Sequence, residues 1–238
     1  MTSKLIVYSC ITSGYDKAHN TLLRGEALQQ EEGVRYILFS DTLHPCSMST
    51  GGMEWEVQQI RWAHPLCSRR TARYHKCLPH LVLPPHQKSL WIDGNLTFKN
   101  VNPLTDIVNV YLSDGVDVAT FRHADRQCVY QEEYACVRFR KDHADIMRAQ
   151  INKYKTEGYP TYNGLAETGC LVRRNNDIVK EFNNTWWSEI EQHSFRDQLS
   201  FPYVCWKLGV GYNHIGDGEW NIWKSQFFQP LLRNKLHS

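Results

Sequence analysis

The chain has 238 residues, long enough to bury a sizeable core, and its 42% apolar and 22% charged content is an ordinary globular balance. A net charge of +2 excludes the strong electrostatic footprint of a DNA, RNA or anionic-membrane binder. No apolar run reaches the roughly eighteen residues of a membrane helix, and the eight cysteines contain no C-x-x-C pair of the structural-zinc kind.

The N-terminal stretch KLIVYSCI, residues 4–11, reads as a strand, too short for a membrane helix and without a small-residue cleavage site. A glycine-containing turn, TSGYDK, follows it. VRYILFSD, 34–41, is a second strand ending at Asp41, and EWEVQQI, 54–60, a third. CSRRTARYHKCLPHLVL, 67–83, is expected to be helical until Pro84 and Pro85 stop it. SLWIDGNLTF, 89–98, is an apolar run interrupted by Asp93, Gly94 and Asn95. VDVATFRH, 116–123, is a strand, and HADRQCVYQEE after it a polar loop. DHADIMRAQINKYKTEG, 142–158, is an amphipathic helix closing near Gly158. AETGCLVRRN, 166–175, is a strand, and DIVKEFNNTWWSEIEQH, 177–193, a helix with Asp177 near its cap. RDQLSFPYVCWKLG, 196–209, begins a last helix that Pro202 must enter early or interrupt. The aromatic tail, 221–238, reads either as a packed helix or as a subunit contact.

Strands alternating with helices indicate an α/β fold with a largely parallel sheet, here a single domain over 1–238. Ligands of such sheets bind at the carboxyl ends of the strands, which directs attention to the polar groups that follow apolar runs. Several cysteines fall inside apolar stretches, where a free thiol behaves as a small hydrophobe; reduced thiols and a cytoplasmic location follow, although an even count leaves disulfides open.

A buried acid needs a partner, a strand end or a metal, so Asp93 is the first candidate site residue. Asp93 and Asn95, two apart across Gly94, present oxygen ligands suited to Mg²⁺ or Mn²⁺; the competing reading is an Asp-Gly turn between two strands. Arg69, Arg73 and Lys76 share one helix face that could clamp phosphate oxygens, or could simply be solvated. Glu167 lies between Gly164 and Gly169, as a base or sugar-hydroxyl contact, or as a loop acid paired with Arg173 or Arg174. Asp197 opens a helix, as a first-turn acid or as a general base. His123 begins a polar loop able to meet an acceptor, and a neutral His214 could complete an octahedral shell begun by Asp93 and Asn95; each could equally be a solvated loop histidine.

P-loop, dinucleotide-fold, nucleophile-elbow and H-E-x-x-H signatures are all missing. In order and spacing, YSCITSGYD, FSD, R-x-x-K-x-x-PH (Arg73, Lys76, Pro79, His80), WIDGN, YNGLAETG and RDQLSFPY resemble the glycosyltransferase-like domain family once numbered 616 among domains of unknown function. Plant members of that family are linked to cell-wall and mucilage polysaccharides. The resemblance runs from about residue 5 to about residue 215. It implies a GT-A-like, Rossmann-type sheet, mixed but mostly parallel and flanked by helices. It further implies a nucleotide-diphospho-sugar donor, a glycan or glycoconjugate acceptor and Mn²⁺ or Mg²⁺. By resemblance, WIDGN stands in the place of the D-x-D metal motif, with Asn95 where many GT-A enzymes carry a second acid. Thr12, Gly14, Tyr15, Asp16 and Asp41 would line the nucleotide pocket, and Arg73 and Lys76 would face the diphosphate. Glu167 and Asp197 would flank the transferred sugar as the catalytic pair, and His214 would be a late metal or phosphate ligand. Plant relatives carry a membrane anchor ahead of the domain, whereas this chain starts at the domain, which reads as a microbial or viral cytosolic form or as a trimmed piece of a longer protein. A nucleotide-sugar hydrolase or phosphotransferase using the same site, and a non-catalytic carbohydrate-binding module, are the competing functions.

Overall fold

A computed structural model describes residues 2–13, 30–50, 53–99, 104–113, 115–216, 222, 224, 225 and 227–230. Gly14, Tyr15 and Asp16, expected in the nucleotide pocket, lie outside the described residues.

The first sheet strands are Ser3–Ile11 (β1), Val34–Ser40 (β2), Cys46–Thr50 (β3), Met53–Gln59 (β4) and His86–Ile92 (β5). Val118–Arg122 (β7), Ala166–Arg174 (β8) and Asn213–His214 (β9) complete an eight-stranded sheet of order β3-β4-β2-β1-β5-β8-β7-β9. β3 and β8 run against the other six strands. Leu96–Phe98 (β6) and Phe228–Pro230 (β10) form a separate antiparallel ribbon. The helices are Ser68–Cys77 (α1), Pro79–Val82 (α2), Leu104–Tyr111 (α3), Val129–Arg138 (α4), Ala144–Thr156 (α5), Asp177–Gln192 (α6) and Asp197–Leu208 (α7).

β1 is apolar along its length because both faces of the sheet are covered. Its Ile6, Tyr8 and Cys10 join one core with Trp91 and the buried faces of α5, α6 and α7. Its Leu5, Val7 and Ile11 join a second with Leu104 and Val108 of α3. All eight cysteines are free thiols, six of them buried.

The sequence reading differs from the structure at instructive places. The helix expected over 67–83 breaks at Leu78, at φ −115° and ψ 54°, because Pro79 disfavours helical backbone in the residue before it. Pro202 lies inside α7 without ending it; Asp197–Cys205 is buried throughout, and that burial outweighs the one missing backbone bond. The cap of α6 is Asn176, whose side chain accepts from the Val179 N–H at 3.0 Å, in place of Asp177. Short β3, α3 and α4 carry too little periodicity to be read in advance. α4 falls in what was expected to be a polar loop, because its buried face holds a charged residue, Glu132, beside Val129 and Cys136. Of the tail, the strand Phe228–Pro230 is described.

One irregularity shapes everything that follows. Thr120 of β7 pairs with Leu171 of β8, but the next residue, Phe121, pairs with Glu167, so residues 168–170 bulge out of the ladder. The Thr120 hydroxyl lies 3.0 Å from the Glu167 carbonyl oxygen and 2.8 Å from that of Cys170, its proton shared across the neck of the bulge. A Cβ at Gly169 would come within 2.8 Å of Ile222 Cδ1, so a larger residue there would displace that side chain. Thr120→Val keeps the shape and removes the donor; the urea midpoint is expected to fall by the equivalent of about 1–2 kcal/mol. An unchanged midpoint would show that the bulge does not depend on this hydroxyl.

Candidate functional site

The carboxyl ends of β1 and β5, the exposed side of α1, the segment after α4 and the residues leading into α7 line one polar cleft of about 530 Å³. Lys76 is brought there by α1. Its backbone carbonyl and that of Cys77 are taken by the buried guanidinium of Arg173, at 2.6 and 3.4 Å, which also reaches Tyr8 and Asn183. The last turn of α1 is thereby fixed, and Lys76 extends from it with no solvent exposure.

The Lys76 ammonium lies 2.5 Å from Asp197 Oδ2, 3.2 Å from Asp93 Oδ1 and 3.4 Å from Thr168 Oγ1. It also sits 5.6 Å from the centre of the Trp91 ring, whose Nε1–H donates to Asp93 Oδ1 at 2.7 Å. Thr168, in the bulge, donates to Asp197 Oδ2 at 2.8 Å, and Arg73 Nε lies 3.3 Å from Asp197 Oδ1. Burial alone would raise the Asp197 carboxyl, but Arg73, Lys76 and Arg196 outweigh it and hold the group well below the usual carboxylate range. Its contribution to stability is therefore present at neutral pH and is lost only as strong acid protonates it.

Asp93 is a turn residue: its N–H donates to the Gly169 carbonyl at 2.7 Å, and its carbonyl accepts from Leu96 at 3.0 Å. The Asp-Gly turn does form, and it carries the carboxylate, 30% exposed, to the lip of the cleft beside Lys76. Thr12 and Asn95 line the same cleft. Asp41 is exposed and accepts the Ser13 N–H on both oxygens, at 2.9 and 3.0 Å, which holds the chain after β1 against the end of β2.

Glu167 precedes the bulge. Neither arginine expected to neutralise it does so: Arg173 is committed to α1, and Arg174 pairs with Asp117 at 3.1 Å. Its contacts are Gln198 Nε2, donating at 2.9 Å, and the imidazole of His123 at 3.8 Å. Burial, then the carboxylates of Asp93, Asp197 and Glu132, push its carboxyl up to about 7. His123 is depressed by burial, and its Nδ1 accepts from the Asp125 and Arg126 backbone N–H groups at 3.1 and 3.2 Å. It borders Glu167 and does not line the cleft.

One expectation is corrected. Asp197 does not present a free proton acceptor, because its carboxylate is 3% exposed and engaged on both oxygens. Arg70, on the arginine run of α1, turns away and caps α6 through the carbonyls of Ile190, Glu191 and His193.

The expected divalent cation was tested against the donors. His214 is paired with Thr120, Thr120 with Leu171, and Leu171 with Trp91, which sets His214 about three strand spacings, or about 14 Å, across the sheet from Trp91. Among the described residues no group of three His, Cys, Asp or Glu side chains could hold a metal ion. Asp93, already hydrogen-bonded through Oδ1, and the Asn95 amide do not make a divalent-cation site by themselves. The cleft does supply positive charge of its own: Arg69, Arg73, Arg140, Lys141 and Arg196 line it, against a single acid, Asp93. Arg140, Lys141 and Arg196 were missed by the sequence reading, as were Trp91, Thr168 and Gln198. Arg196, Thr168 and Gln198 are sequence neighbours of Asp197 and Glu167, the one signal that could have found them.

The sequence model of the TOD1/MUCI70 glycosyltransferase-like domain matches residues 1–237. A curated relative, the probable hexosyltransferase MUCI70 of Arabidopsis thaliana, is 30% identical over 168 residues, covering 67% of this chain and 29% of the relative. The alkaline ceramidase TOD1 of the same plant is 27% identical over 175 residues, covering 68% of this chain and 36% of the relative. The chain thus spans about a third of the length of these curated relatives. Among solved structures, the apo form of the bifunctional glycosyltransferase WbbM superposes with a TM-score of 0.54 at 13% identity, over 93% of this chain and 40% of that one. That likeness shows the fold: a GT-A-like mixed sheet, mostly parallel and flanked by helices.

Replacing Asp197 by Ala would leave the Lys76 ammonium buried beside one partly exposed acid. The expected cost is about 3–5 kcal/mol in urea unfolding. A loss below about 1 kcal/mol would show that the ion cluster is not the support described here.

Proposed function

This chain belongs to the TOD1/MUCI70 glycosyltransferase-like domain family, and from that premise we propose that it moves a sugar from a nucleotide-diphospho-sugar donor to a hydroxyl of a glycan or glycoconjugate. The observation that carries the reading is the basic cleft at the carboxyl ends of β1 and β5, with Asp93 on its lip. The two curated relatives carry different activity names, hexosyltransferase and ceramidase. Five cations facing one acid suit a leaving diphosphate; the amide of a ceramide carries no charge for them to meet.

In this reading the nucleotide lies over the ends of β1 and β2, near Thr12 and Asp41. Its diphosphate faces Arg69, Arg73, Arg140, Lys141 and Arg196. As the bond between the anomeric carbon and the phosphate oxygen breaks, these side chains take up the charge that develops on the leaving group. Lys76 acts at one remove, holding Asp93 and Asp197 in place. The sugar lies toward β8, where Glu167 accepts the proton of the attacking hydroxyl. A carboxyl titrating near 7 is suited to give and take protons at neutral pH.

Calorimetry against UDP-, GDP-, CMP- and dTDP-sugars tests the donor. Binding of at least one is expected, persisting within about twofold in EDTA because the chain's own cations meet the diphosphate. A strict requirement for Mn²⁺ or Mg²⁺ would restore the metal role expected of Asp93 and Asn95, and no binding at all would end the transferase reading. Free sugar appearing equally fast with and without acceptor would identify a hydrolase.

The pH profile tests Glu167. A base must be deprotonated, so transfer is expected to rise with pH through about 7. Glu167→Gln should abolish that limb and lower kcat by about 10²–10⁴-fold with donor affinity retained. A variant with the same limb would transfer the proton role elsewhere.

A further inference from the structure

A second cavity of about 530 Å³ lies on the outer side of α4, and nothing in the donor chemistry uses it. Tyr134, Phe139 and Tyr162 present their rings there with exposures of 69, 62 and 71%. Arg126, Gln131 and Thr161 supply polar groups around the same rim. Flat aromatic faces edged by hydrogen-bonding side chains match the apolar faces and equatorial hydroxyls of sugar rings. Large aromatic rings this exposed are poorly accounted for by packing within the chain.

Two connections tie this groove to the donor cleft. Phe139 lines both cavities, and the next two residues, Arg140 and Lys141, line the cleft alone. Beneath α4, the buried Glu132 receives Arg126 from the groove at 2.6 Å and faces Arg196 from the cleft at 3.6 Å. Arg126 also reaches the His123 imidazole at 2.9 Å, and His123 borders Glu167. Glu167 itself lines neither cavity, but Arg126 on the groove and the His123 imidazole connect the groove to it. Arg140, next to the shared Phe139, and Tyr162, on the groove, hold left-handed backbone at φ 50° and 56°, unusual for residues other than glycine, asparagine or aspartate.

We propose that this groove is the acceptor subsite, in which Tyr134, Phe139 and Tyr162 stack on successive rings of a glycan chain and deliver its hydroxyl to Glu167. The inference rests on the transferase reading, and its occupant is an oligosaccharide rather than a lipid. A chain of linked rings can lie along an open groove and still place one hydroxyl in the cleft, and the polar rim matches hydroxyls at intervals.

The test uses the full chain and the double variant Tyr134→Ala, Tyr162→Asn; asparagine tolerates the left-handed backbone at 162, so folding should be kept, and a thermal melt checks it. Wild type and variant are applied to an array of immobilised plant and microbial glycans, to vesicles containing ceramide, and to the nucleotide-sugar panel by calorimetry. The expected result is glycan binding by wild type that weakens roughly tenfold or more in the variant, with nucleotide-sugar affinity unchanged within about twofold. No glycan bound by wild type, equal glycan binding by both proteins, or vesicle binding lost in the variant would each overturn the proposal. Failure of nucleotide-sugar binding with glycan binding intact would sink the transferase reading while leaving a glycan groove.

Discussion

The buried ammonium of Lys76 is the constraint around which this end of the molecule is organised. A cation with no solvent exposure survives only if its charge is met, and here it is met by Asp197 at 2.5 Å, Asp93 at 3.2 Å and the Thr168 hydroxyl. Those three partners come from α7, the turn after β5 and the bulge of β8. The ion cluster thus ties together elements more than a hundred residues apart in the chain. Arg173 extends the tie below, fixing the last turn of α1 from the neighbouring strand β8.

The bulge in β8 is what lets one strand serve two purposes. Its regular part, Leu171–Arg173, pairs with β5 and β7 and is buried. The irregular part turns Thr168 toward Asp197, lets Gly169 pass close to Asp93, and leaves Glu167 beside Gln198 and His123. A continuous ladder would alternate these residues across the two faces of the sheet. The bulge breaks that alternation where the site requires it.

Charge is divided along the cleft. Near α1 and the loop after α4 it is strongly basic, and Asp197 stays ionised because cations surround it. Near β8 the carboxylates gather, and burial with mutual repulsion lifts Glu167 to about 7. Two acids of similar chemistry, thirty residues apart, are driven in opposite directions by their surroundings, one into a permanent counter-ion and the other into a group able to exchange protons near neutrality. The separation puts a cationic face in the cleft and a titratable carboxyl beside the bulge of β8 without a change of residue type.

Much of this was legible in the residues. Period and turn chemistry located β1, β2, β4, β7, β8, α5, α6 and α7, and local oddity picked out Asp93, Glu167 and Asp197: an acid inside an apolar run, an acid between glycines, an acid at the start of a helix. Such signals are local, and local pattern is what a sequence determines, down to the helical face that carries Arg73 and Lys76. The roles were decided elsewhere. Whether Asp197 gives up a proton, whether Glu167 finds an arginine, and whether Arg70 faces the cleft depend on which strands and helices come to lie together. The tertiary structure alone sets that, because burial and Coulomb interactions depend on distance through space and are blind to separation along the chain.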